Sequence, residues 1–175
     1  MANDTGEQRS NARSRLRAFF LPRADRRFFI RFALVALGAY LFFGYVCTPA
    51  IARGESMEPT YADGSLLFCW RPRYWFRAPR RGDVVMVRLA GGRVMYLKRI
   101  VAVAGDSVSF CKGRLHLDGE PVEEPYVKTS CDWELVTRVV PAGQVYVVGD
   151  NRGMPMEQHK FGRTSVKRLV GGAIP

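Results

Sequence analysis

Hydrophobic residues run continuously near the start of the chain and alternate with polar ones later. From Phe32 to Ala52 no residue is charged, and the most apolar part runs from Phe32 to Cys47. Phe28, Phe29 and Ile30 extend it, with Arg31 placed to snorkel toward lipid headgroups. This length suits a helix crossing a hydrocarbon core of roughly 30 Å, and Pro49 is expected to close that helix. A buried core helix would carry a polar stripe near its ends, and none is present. A cleavable signal peptide would end on small residues such as Thr48 and Ala50, but the basic region ahead is long for one and Pro49 hinders a cut. The segment reads as a retained anchor over residues 28–49.

After Pro49 the pattern changes to short β-branched runs separated by turn residues. Residues 83–89 and 93–103 read as strands, joined at Ala90-Gly91-Gly92 by a hairpin turn. Further strands are expected over residues 107–110, 114–117 and 144–148, with a turn at Asp118-Gly119. No later stretch sustains helical periodicity. The expectation is a mostly-β domain over residues 50–175, with residues 104–140 as a small inserted lobe.

Charge then assigns sides. The 175-residue chain carries a formal charge of +11. Residues 1–31 hold eight arginines against Asp4, Glu7 and Asp25. Such an arm is either a nucleic-acid tail or the cytoplasmic flank of an anchor. The apolar segment favours the flank, which makes residues 1–27 a cytoplasmic arm and places the β domain outside. Binding to nucleic acid is not expected. Trp70-Arg71-Pro72-Arg73-Tyr74-Trp75-Phe76-Arg77 interleaves rings and arginines, as suits membrane lipids, although nucleic-acid binders and solvated hairpins share that pattern. Cys111 and Cys131 are either bonded or free, while Cys69, beside Leu67, Phe68 and Trp70, reads as buried. His116, His159 and the cysteines lack metal-ligand spacing, so neither metal nor cofactor is expected.

Two residues carry the candidate chemistry. Ser56 follows Gly54 on a turn just beyond the anchor, where glycine frees the backbone to aim a hydroxyl and its N–H. Lys98 lies mid-strand, with no histidine near either residue in sequence. A buried lysine amine has a lowered pKa and serves as a general base, whereas an edge-strand lysine only discourages aggregation. Serine–lysine pairs are a known variant of nucleophilic hydrolysis.

The ordered motifs Ser56-Met57-Glu58-Pro59-Thr60, Arg81-Gly82-Asp83-Val84-Val85, Tyr96-Leu97-Lys98-Arg99-Ile100-Val101 and Gly149-Asp150-Asn151-Arg152 resemble those of the type I signal peptidases, which are membrane-bound serine proteases. The resemblance covers most of residues 50–175, including the closing stretch from Phe161 to Gly171. It implies an extracytoplasmic signal-peptidase-like β domain held to the cell (inner) membrane by one span, with Ser56 as nucleophile and Lys98 as general base. It also implies support from Gly54 and Met57, with Arg99, Asp150, Asn151 and Arg152 bracing the site from behind. The implied substrates are exported preproteins with small residues before the cut.

Two departures from the family pattern stand out. Gly54 takes a position where some members have a serine that contributes to the oxyanion hole. Pro155 stands where many members have the hydroxyl that orients the lysine. Glu157 and His159 are expected to keep an acid–base pair nearby. The altered box also suits a dedicated pilin-like or conjugative-transfer maturation peptidase. From another class, it suits an inactive membrane-anchored binding protein of the same fold.

Overall fold

The computed structural model of the chain describes residues 25–88, 95–159 and 162–174. Residues 1–24 of the basic arm, the Ala90-Gly91-Gly92 turn and Phe161 fall outside them.

The chain divides into two units, residues 1–42 and 43–175. In the first, helix α1 (Arg26–Leu41) has no buried residue. It continues through a π-helical turn, Phe42–Val46, so Arg26–Val46 forms one helical stretch with mean hydropathy 1.8. Twenty-one residues at 1.5 Å each give about 31 Å, enough to cross a bilayer core. The helical turn ends at Val46 and not at Pro49, which instead lies in strand β1 (Cys47–Ile51). Only one edge of β1 is paired, with β2, so a proline lacking an N–H is tolerated there.

The second unit is β-rich. Its main sheet has seven antiparallel strands in the order β1-β2-β11-β3-β4-β9-β10. These are β2 (Leu66–Trp70), β3 (Val84–Arg88), β4 (Met95–Val103), β9 (Gln144–Val148), β10 (Gly162–Ser165) and β11 (Leu169–Ile174). A second sheet, ordered β7-β6-β5-β8, comprises β5 (Ser107–Cys111), β6 (Arg114–Leu117), β7 (Glu120–Pro121) and β8 (Leu135–Val139).

Both faces of the main sheet are covered, which explains why β3 reads as an unbroken apolar run. Val84 and Met86 pack with Met57, Tyr61, Leu67 and Cys69, whereas Val85 and Val87 pack with Ile100, Val145 and Val147. A third cluster joins Val101, Tyr146 and Val148 to Val108, Phe110 and Trp133, tying the second sheet to the end of the first. The turn that carries Ser56 therefore rests on core at Met57.

All four cysteines are free thiols in this structure. Cys111 is exposed at the end of β5, and Cys131 Sγ donates to the carbonyl of Gly113 at 3.4 Å. Cys69 is buried, and burial pushes its thiol up to about 11.

Candidate active site

Gly54 opens a one-turn 3-10 helix, Glu55–Met57, with φ of 87°. Only glycine adopts that angle without strain. The Gly54 N–H donates to Asp63 Oδ1 at 2.7 Å, fixing the entry to the turn. Met57 is buried beneath it, so Ser56 projects from a loop anchored on both sides.

Lys98 comes from β4, which lies between β3 and β9. It is therefore no edge-strand lysine. In register it faces Val85 across β3, and it is only 3% exposed. Its Nζ lies 2.6 Å from Ser56 Oγ. Among the described residues this is its one hydrogen-bond partner. Burial pushes the ammonium pKa down to about 8, against a smaller opposing pull from the Asp150 carboxylate. A buried cation without a countercharge beside it favours the neutral amine, which is the form a base needs.

The support behind the pair comes from the loop after β9. Asp150 is buried and holds the Arg99 guanidinium in two parallel bonds, at 2.8 and 2.6 Å. It also accepts from Thr60 Oγ1 at 2.6 Å. Arg99 in turn donates to the Gly82 carbonyl and lies over the Tyr126 ring at 3.9 Å. These bonds hold a strand, the loop after Ser56 and the 149–152 loop together.

Asn151 reaches the Ser56 turn directly. Its backbone N–H donates to the Ser56 carbonyl and its side-chain amide to the Glu55 carbonyl, each at 3.1 Å. Gly149 lies so close that an added Cβ would meet the Ser56 carbonyl oxygen at 2.1 Å and His159 Cε1 at 2.5 Å. The glycine is required by close approach and not by its backbone angle.

Arg152 takes a different partner. It is 1% exposed and makes a bidentate pair with Glu124, at 2.7 and 2.6 Å, while its Nε donates to the Gly149 carbonyl. It bridges the second sheet's neighbourhood to the loop that carries Asp150.

The expected pairing of Glu157 with His159 does not form. His159 is buried edge-on against Trp133, with ring centroids 4.8 Å apart. Its Nε2 lies 2.7 Å from the Asn151 carbonyl, and only a donor fits there, so Nε2 carries the proton. Burial first, with nearby Lys98 and Arg152, lowers its pKa and keeps the ring neutral. With its one N–H given to that carbonyl, the neutral ring has no donor left for a carboxylate. Pro155 is exposed among Met154, Met156 and Glu157, and offers nothing to Lys98. Sequence reasoning missed Thr60 and Glu124, whose roles depend on contacts 90 and 28 residues apart in the chain.

Residues 26–174 match the family model described as signal peptidase, peptidase S26. A signal peptidase I of Leptolyngbya laminosa is 28% identical over 87% of this chain and 81% of its own length. One from Bacillus licheniformis is 32% identical over 76% of this chain and 77% of its own. A probable signal peptidase I-1 from a Synechocystis strain is 29% identical over 74% and 70%. Among solved structures, a signal peptidase I of Enterococcus faecalis V583 covers 55% of this chain with a TM-score of 0.45 and 21% identity.

Proposed function

The chain belongs to the signal peptidase family, peptidase S26, as a signal peptidase I-like serine endopeptidase, and from that premise we propose that Ser56 is its nucleophile and Lys98 its general base. The observation that carries this is the 2.6 Å approach of Lys98 Nζ, a buried amine, to Ser56 Oγ, which is half-buried. With Lys98 neutral, the Ser56 hydroxyl donates to Nζ. As Oγ attacks the scissile carbonyl carbon, its proton passes to Nζ, and the carbonyl becomes an oxyanion facing the Ser56 backbone N–H. Collapse of that intermediate breaks the C–N bond, and the ammonium returns the proton to the leaving amine. Neutral Lys98 then takes a proton from the water that attacks the acyl ester, and as the C–Oγ bond breaks the ammonium returns that proton to Ser56 Oγ, releasing the new C-terminal acid.

Arg99, Asp150, Asn151 and Arg152 are positioning residues in this scheme. Asp150 and Arg99 form a closed ion pair, so Asp150 draws the lysine pKa up only modestly, and Asn151 grips the nucleophile turn from behind. With Gly54 in place of a hydroxyl-bearing residue, the oxyanion hole rests on backbone donors.

The substrates are exported preproteins carrying signal sequences, cut after small residues. The apolar helix Arg26–Val46 supports anchoring in the cell membrane. The arginine excess before it supports a cytoplasmic N-terminus and an extracytoplasmic catalytic unit. The separate sheet β5–β8 supports treating residues 104–140 as a lobe inserted into that unit. The test is cleavage of a purified preprotein by the full chain in detergent, with the new N-terminus read by mass spectrometry. A single cut after a small residue at the end of the signal's apolar segment is expected. An uncut preprotein, or cuts scattered through the mature part, would refute the assignment.

A further inference from the structure

A second concave site lies at one end of strands β2, β11 and β3. It is a cavity of about 270 Å³ lined by Tyr45, Arg71, Trp75, Arg88, Lys167 and Arg168, together with Leu169 and Val170. Strand register places these residues together. Cys47 and Gly172 both oppose Trp70, and Leu169 opposes Val87. The residues just beyond those pairs therefore converge: Tyr45 before β1, Arg71 after β2, Arg88 at the end of β3, and Lys167 and Arg168 before β11.

Four cations converge without a carboxylate. None of the lining residues is acidic, and among the described residues none of the four forms an ion pair. Arg71 Nη1 donates to the Gly44 carbonyl at 3.0 Å, which fixes it at the last turn of the apolar stretch. The other three are exposed. Collecting four like charges costs repulsion, so such a site is most stable with an anion in it.

The surroundings identify which anion. Trp75 is 65% exposed and Phe76 89% exposed, two large rings left in solvent beside the cations. A pair of rings flanking basic residues suits the boundary of headgroups and acyl chains. Gly44 and Tyr45 belong to the helical stretch that is long and apolar enough to span a bilayer, so the pocket is tethered within a residue or two of the membrane. We propose that this pocket binds the phosphate of an anionic phospholipid headgroup, with Arg88, Lys167 and Arg168 as its principal contacts and Trp75 at its rim. The proposal rests on the membrane-anchored reading given above, and it names the lipid that would hold the catalytic unit against the surface.

The test uses the full chain in nonionic detergent with equal amounts of phosphatidylglycerol and phosphatidylcholine. Native mass spectrometry counts one-to-one lipid adducts. Phosphatidylglycerol is expected to predominate, and the Arg88→Gln/Lys167→Gln/Arg168→Gln chain is expected to lose that preference by roughly fivefold per charge removed. Arg114→Gln/Arg138→Gln, which removes cations elsewhere, is expected to keep it. A thermal melt verifies folding, and the single Arg88→Gln and Lys167→Gln chains carry the test if the triple variant does not fold. Equal adducts with both lipids, an undiminished preference in the folded triple variant, or equal displacement by inorganic phosphate or a single-stranded oligonucleotide would each overturn the proposal. Wild-type chain that cleaves preprotein yet takes both lipids equally refutes the pocket alone. Chain that prefers phosphatidylglycerol yet cleaves nothing supports the pocket and refutes the protease reading.

Discussion

Lys98 Nζ sits 2.6 Å from Ser56 Oγ with only 3% of the lysine exposed. Its pKa, lowered to about 8 chiefly by burial, therefore sets when the base is available. In the proposed scheme the working form of Lys98 is the neutral amine, so kcat/KM should rise with pH and reach half its limit near pH 8. The Asp150 carboxylate raises that pKa. Asp150→Asn should therefore move the midpoint to lower pH, even as loosening of Arg99 and Thr60 lowers the limiting rate. A rate profile from pH 6 to 10 measures both. A midpoint that stays put or moves upward in the variant would contradict this account of the lysine.

Burial of Lys98 also costs stability, and the sign follows from the shift. Its folded pKa lies below its unfolded one, so the penalty is fully present below about pH 8 and disappears as pH rises past 10.5. Lys98→Met should therefore stabilise the protein at pH 7, by roughly 3 kcal/mol at most. Chemical denaturation at pH 7 and pH 10.5 checks this, with the gain expected to shrink at the higher pH.

His159 holds Asn151, and Asn151 holds the Ser56 carbonyl. His159→Phe keeps a ring against Trp133 but removes the donor to the Asn151 carbonyl. The expected result is a loss of about tenfold in kcat with KM little changed. His159→Gln, which can still donate, should recover part of it. A matched fall in Tm without any change in kcat would assign the residue to packing alone.

Arg152 and Glu124 are buried as a pair, at 1% and 8% side-chain exposure. Replacing Arg152 by Met strands the carboxylate, and the expected loss is about 3–5 kcal/mol. Arg152→Met/Glu124→Gln should lose less than Arg152→Met alone, since no charge is then left buried. Urea unfolding of wild type, Arg152→Met, Glu124→Gln and the double variant measures the coupling.

The sequence discloses the strands whose residues do a single job. β3 and β9 are β-branched runs buried on both faces, as is β4 over residues 100–102, and they stand out without a structure. β1 and β11 do not, because Pro49 and the pair Gly171-Gly172 weaken the local signal that cross-strand neighbours then override. Gly171 is required because an added Cβ would meet the Trp70 carbonyl at 2.5 Å. The same limit applies at the site. Ser56 and Lys98 are marked by their own frames, and Asp150 with Arg99 by adjacent motifs. Thr60 lies inside the frame of Ser56, but its bond to Asp150, like that of Glu124 to Arg152, exists only once the chain folds, and His159 looks like a titrating partner for Glu157 until burial beside Trp133 makes it a neutral donor.

The most direct test of the dyad is a double-mutant cycle on preprotein cleavage, with kcat/KM measured for wild type, Ser56→Ala, Lys98→Ala and the double variant. If Ser56 and Lys98 act as one unit, each single change costs roughly 1000-fold or more and the double variant is no slower than the worse single one. A single variant that cleaves at the wild-type rate, or losses that multiply in the double variant, would contradict the pairing of this serine with this lysine.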